Sequence, residues 1–155
     1  MDAPGRIFSL GLLLVTAVLF STLTAEARDL SSLKACEVVT GKEVAGIAKG
    51  KLMSPPLGGA QACAYLVEMP DGTVESYRFL IQAPAGIEAM WNSQTAAERG
   101  QAVAGLWDQA YVAKQFMASG LSLAAVKRND LAIEVTGERK DVLLAIATLA
   151  ISRLR

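Results

Sequence analysis

The chain has 155 residues, 15 basic and 15 acidic side chains that cancel, and no histidine at all. The missing imidazole excludes Ser-His-Asp and Cys-His catalysis, histidine-ligated zinc and imidazole proton shuttles. Charges are dispersed, with no basic block or aromatic-interleaved basic patch, which argues against nucleic acid as a partner.

At the N-terminus Arg6 leads into an apolar run of 18 residues, 7–24, and then Ala25-Glu26-Ala27. Small residues stand at the two positions a signal peptidase reads, so residues 1–27 are read as a signal peptide. The run barely reaches bilayer-spanning length, and its retention as an uncleaved anchor is the one membrane attachment the sequence allows. Cleavage would leave 128 residues, 28–155, with 14 basic and 13 acidic side chains. That length suits one α+β domain with a single core. The expected location is exported, periplasmic or extracellular.

The first structural signal is Thr40-x-x-Glu43, the spacing of a capping box, flanked by Val39 and Val44 as a hydrophobic staple. A short helix is expected from there, with Val44, Ile47 and Ala48 on one face and Gly50 as the left-handed stop. Residues 51–60, with Pro-Pro and Gly-Gly pairs, read as a loop. Two alternating runs follow around Pro70-Asp71-Gly72. Cys63, Tyr65, Val67 and Met69 share one face of the first; Tyr77, Phe79 and Ile81 share one face of the second. This is the pattern of a β-hairpin. Pro84 and Gly86 are expected to break the second strand. A second helix, 87–99, carries Ile87, Met90, Trp91 and Gln94 at helical spacing and stops near Gly100. Three strands follow in 110–117, 121–127 and 131–137, separated by turns at Ser119-Gly120 and at Arg128-Asn129-Asp130. In the last, Leu131, Ile133 and Val135 point one way and Ala132, Glu134 and Thr136 the other. A final helix from Asp141 aligns Leu143, Ile146, Ala147, Ala150 and Leu154, with Arg153 and Arg155 at the negative end of its dipole. The expected order is α-β-β-α-β-β-β-α, an antiparallel sheet of about five strands covered by helices.

The two cysteines, Cys36 and Cys63, are read as a disulfide, because an exported protein with an even count favours pairing. A redox role lacks the Cys-x-x-Cys spacing, and a metal site lacks ligands. Lipidation at Cys36 is disfavoured by Lys34 and by its distance from the apolar run. Three enzyme-like fragments fail on their companions. Gly120-Leu121-Ser122-Leu123-Ala124 loosely matches a nucleophile elbow, but no histidine exists to activate Ser122. Ser31-x-x-Lys34 lacks the other motifs of serine–lysine acyl enzymes. Gly41 and Gly46 have phosphate-loop spacing, with Ile47 and Ala48 where Lys and Ser/Thr are required.

The segment 104–113 places Trp107, Asp108 and Tyr111 near the turn into the third strand. As a binding rim they would offer large contact area with polar handles. Closure of one end of the core is the favoured role, and Trp91 is expected to anchor the second helix on the sheet. On the binding reading, Trp91, Trp107, Asp108 and Tyr111 are the residues a partner or ligand would contact. Cys36-Glu37-Val38-Val39-Thr40 with Glu43-Val44, Cys63 entering a strand, and Gly105-Leu106-Trp107-Asp108-Gln109-Ala110-Tyr111 resemble small bacterial secreted and lipoprotein domains of unknown function. Their turn reads Gly-Leu-Gly-Asp-x-Ala-Tyr, and Trp107 replaces its middle glycine. The resemblance covers most of 28–155 and implies an exported α+β domain with a disulfide; it carries no catalytic residue across. The functional expectation is a non-enzymatic domain, without cofactor or metal, that binds an unknown protein or small-molecule partner in the envelope. The alternatives are a structural or accessory component of a cell-envelope assembly and, third, a histidine-free hydrolase.

Overall fold

A computed structural model of the protein describes residues 28–95, 97–115 and 119–154. The expected signal peptide, 1–27, lies outside the described residues, as does Arg155.

After a turn of 3-10 helix at Leu30–Ser32, one turn of α-helix, α1 (Ala35–Val38), leads into α2 (Gly41–Ala48). Thr40 caps α2 as its sequence spacing predicts. Its Oγ1 accepts from the Glu43 amide at 3.4 Å, and Glu43 Oε2 accepts from the Thr40 amide at 2.9 Å. Both staple valines, Val39 and Val44, are fully buried. The stop is shifted by one residue from expectation. Lys49, at φ 62°, takes the left-handed position, and the Gly50 amide donates to the Ala45 carbonyl at 2.9 Å. Gly50 is required for a different reason: a Cβ there would lie 2.5 Å from Val67 Cγ1 and 2.6 Å from the Glu68 carbonyl oxygen.

Residues 51–60 are not a plain loop. They contribute β1 (Lys51–Leu52) and β2 (Leu57–Gly58), both paired with β3 (Ala62–Glu68), with Ser54-Pro55-Pro56 between them. A proline has no amide to give a ladder, so the edge is broken into two fragments too short to show periodicity. The hairpin of β3 and β4 (Val74–Gln82) turns at Gly72, φ 82°, where Asp71 Oδ1 accepts from the Thr73 amide at 2.9 Å. Pro84 opens α3 (Pro84–Ser93), where its missing amide costs nothing; the helix both starts and ends earlier than the apolar spacing suggests. β5 (Gln101–Ala102) is a further unexpected fragment. β6 (Gln109–Lys114), β7 (Leu121–Lys127) and β8 (Leu131–Gly137) complete the sheet, and α4 (Lys140–Arg153) ends the described chain.

The architecture is α+β: an open antiparallel sheet in the order β1-β3-β4-β8-β7-β6-β5, with β2 also on β3, and helices on its faces. Eight strands replace the expected five. The count and order differ because three two-residue strands and the single turn α1 were not predictable from pattern.

One face of the sheet carries the main core. Tyr65, Val67, Tyr77, Phe79, Leu123, Ile133 and Val135 meet Leu143, Ile146, Ala147 and Ala150 of α4, with Val39, Val44 and Ala48 beside them. The disulfide joins Cys36 of α1 to Cys63 of β3 across a Cα–Cα distance of 5.1 Å. Polar groups at the helix ends are paired. Tyr65 Oη donates to the Val39 carbonyl at 2.6 Å, and burial raises its phenol well above the ordinary value. Tyr77 Oη donates to the Glu75 carboxylate, and burial followed by that bond pushes the phenol up to about 12. Arg139 reaches Glu75 at 3.1 Å and the Ala48 carbonyl at 2.6 Å, tying the end of α2 to β4. Arg153 pairs with Glu43 and donates to the Val38 carbonyl, so it does more than face the helix dipole.

Candidate functional site

The opposite face of the sheet is only partly covered. Alternation turns Tyr111, Ala124, Val126 and Ala132 toward α3, whose Ile87 and Trp91 pack on them. The alanines let a helix bearing an indole approach the strands. Trp91, 5 % exposed, meets Tyr111 edge-on at 4.9 Å between ring centroids and 73° between planes.

Beside this contact the ladder brings two rows of side chains to the same face. Ala113, Ser122, Thr136 and Arg78 are successive partners across β6, β7, β8 and β4. Tyr111, Ala124, Glu134 and Leu80 form the neighbouring row. Past the end of α3 a single turn returns over them, where Thr95 Oγ1 accepts from the Glu98 amide at 3.3 Å. The result is a cleft of about 430 Å³ with Ser122, Glu134 and Thr136 in its lining, Trp91 and Tyr111 on one wall, and Arg78, Arg99 and Lys114 around it. Such a volume is within the ordinary range of small-molecule sites.

The charges of the cleft are unequally satisfied. Glu134 Oε1 accepts from Ser122 Oγ at 2.8 Å. Glu98 Oε2 accepts from the Thr95 amide at 2.6 Å, and that bond, with one from the Thr95 side chain, holds its carboxyl below the usual range. Among the described residues Arg78, Arg99 and Lys114 form no ion pair. The Arg99 Nε is buried and has no hydrogen-bond partner among the described residues.

Of the four residues singled out by sequence, the structure brings Trp91 and Tyr111 together at the cleft and places the other two elsewhere. Trp107 is partly buried against the main core and takes φ 49°, a left-handed conformation at the place of the pattern's middle glycine. Asp108 Oδ2 accepts from the Arg128 amide at 2.8 Å, holding the β7–β8 turn. Ser122, set aside as a nucleophile elbow, does line the cleft, but it sits within β7 and its hydroxyl donates to a carboxylate; Lys114 beside it is exposed. A serine nucleophile needs a base that is itself oriented by a third group, and Glu134 has only Ser122 as a side-chain partner among the described residues. No group of three His, Cys, Asp or Glu able to hold a metal occurs among the described residues.

Sequence reasoning missed Arg78, Arg99, Lys114, Glu134 and Thr136 as neighbours. The available signal was the small, polar alternation of Ala132, Glu134 and Thr136 opposite an apolar face. It marks a sheet surface that is neither core nor uniformly hydrated. Comparison with protein-family models, curated proteins and solved structures finds no match to this chain.

Proposed function

We propose that the protein is an exported, non-enzymatic domain that binds a small ligand or a segment of a partner in the cleft beside α3. The observation that carries the reading is the pair Arg78 and Arg99, ionically unpartnered among the described residues, at a concave polar floor next to an aromatic wall. Support for export comes from the disulfide, which is stable in oxidising compartments, and from the likeness to small secreted domains. Among the described residues no helix is long and apolar enough to cross a membrane.

The test is a screen of neutral, cationic and anionic small compounds against isotope-labelled protein, followed by amide chemical shifts. Hits should concentrate shifts on α3, the turn at 97–99 and the facing positions of β6, β7 and β8. A library spanning all three charge classes that moves none of these resonances refutes the reading.

A second reading, an accessory component of an envelope assembly, is favoured by one observation. At the β1–β2 edge Met53, Leu57 and Leu66 are 52 %, 68 % and 39 % exposed on the face that also bears the cleft.

A further inference from the structure

We infer that the ligand of the cleft is a small organic carboxylate carrying an apolar body. This inference rests on the cleft-binding reading and adds the chemical class. Each carboxylate of the site already accepts from a protein donor, Glu134 from Ser122 and Glu98 from Thr95. Arg78 and Arg99 form no ion pair with any described carboxylate. Arg99 lines the cleft with its Nε unpartnered among the described residues, so its guanidinium is not committed to an acceptor of the fold. A guanidinium presents its N–H groups in a planar fork that matches a carboxylate edge. The same geometry would accept a phosphate, but Glu98 and Glu134 line the cleft too, and a dianion would meet their repulsion more strongly than a monoanion. The remaining lining explains the apolar body. Trp91, Tyr111, Met90, Ala113 and Ala124 offer hydrocarbon surface against which a ring or short chain can lie.

The experiment uses protein purified in the form its N-terminal processing leaves, titrated in parallel with 3-phenylpropionate, 3-phenylpropanamide and 3-phenylpropylamine. NMR reads the Arg99 Nε–H and Trp91 indole N–H signals directly. The acid should shift both and bind at least about tenfold more tightly than the amide, the scale of one charge-assisted hydrogen bond. Arg99→Gln and, separately, Arg78→Gln should each weaken the acid by about tenfold while leaving the amide within about twofold. Each variant's melting temperature checks that the fold is intact. If the amide or the amine binds the cleft as well as the acid does, the carboxylate assignment is overturned and the cleft reading stands. If none of the three moves a cleft resonance, the carboxylate assignment falls. The charge-spanning screen then decides the cleft reading by itself.

Discussion

Removing the Cys36–Cys63 crosslink tests what holds the N-terminal helices to the sheet. The bridge spans a sequence separation of 27 and fixes α1 on β3 next to the core. In the chain-entropy model, closing a loop of that size lowers the freedom of the unfolded chain by about 3.6 kcal/mol at room temperature. That is a large share of the roughly 5–15 kcal/mol that stabilises a domain. With an unfolding entropy of about 2.1 cal/mol/K per residue, the loss corresponds to a fall in Tm on the order of 13 °C. The assay is urea and thermal unfolding of the native protein, of the reduced protein, and of a Cys36→Ser/Cys63→Ser variant. Reduction leaves both sulfurs in place, and the double variant changes little volume, so the two should agree within about 1 kcal/mol. The urea m-value should rise in both, because an uncrosslinked unfolded chain exposes more surface. A drop below about 1 kcal/mol, or a large drop with m unchanged, would refute the reasoning, since the bridge would then be acting through native contacts or not at all.

Two further outcomes follow from close contacts and from charge. Gly137→Ala places a Cβ 2.4 Å from Cδ1 of the fully buried Tyr77 ring, whose hydroxyl is tied to Glu75, so a loss of about 1–3 kcal/mol is expected by chemical denaturation. Gly59→Ala, with nothing within 4 Å of its Cβ, should be neutral or slightly stabilising, and equal effects at the two sites would contradict the packing account. Arg153, and then the Thr40 amide, hold the Glu43 carboxyl at about 2, below its ordinary 4.5. Because the folded value is depressed, this stabilisation is fully present above about pH 4.5 and is lost as pH falls toward about 2. Solvent screening of this surface pair keeps its worth to about 1 kcal/mol. Glu43→Gln, which retains a capping side chain, should therefore cost about that much near pH 7 and only a small fraction of it near pH 2; a pH-independent difference would disprove the ion pair's role.

What could be read in advance was what short-range chemistry dictates. Thr40 and Glu43 specify a helix start by satisfying each other's amides, and Pro70-Asp71-Gly72 specifies a reversal through a positive φ and an aspartate cap. Tyr77, Phe79 and Ile81 alternate because one sheet face is core. The failures have equally local causes. β1, β2 and β5 are two residues long, below the length at which a period of two can be seen. Pro84 reads as a strand breaker in the sequence, although the first helical position is where proline is tolerated best. Lys49 took the left-handed position because Gly50 was already committed to a close approach against β3. The cleft was illegible for a different reason. Arg78, Arg99, Ser122 and Glu134 meet only through cross-strand register and the turn that follows α3, and no spacing along the chain encodes that meeting.

The position of the cleft follows from an inequality between the two faces. α4, with 14 residues, is about 21 Å long, and together with α1 and α2 it buries one face from β3 to β7. α3, with ten residues, is about 15 Å long and packs on β7 and β8. Neighbouring strands lie roughly 4.8 Å apart, so a helix seated over two of them leaves β4, β3 and the β1–β2 edge without a cover. Alternation must still send every second side chain of those strands to that open side. Where the cover ends, the sequence changes character: Ala124 and Ala132 under the helix give way to Ser122, Glu134, Thr136 and Arg78 at its margin, and then to Leu66 at the edge. Here the polar groups peak at the margin and apolar side chains reappear at the far edge. That order places a charged cleft and an exposed apolar strip side by side on one surface, so the two proposed readings, binding in the cleft and docking along the strip, are compatible rather than rival.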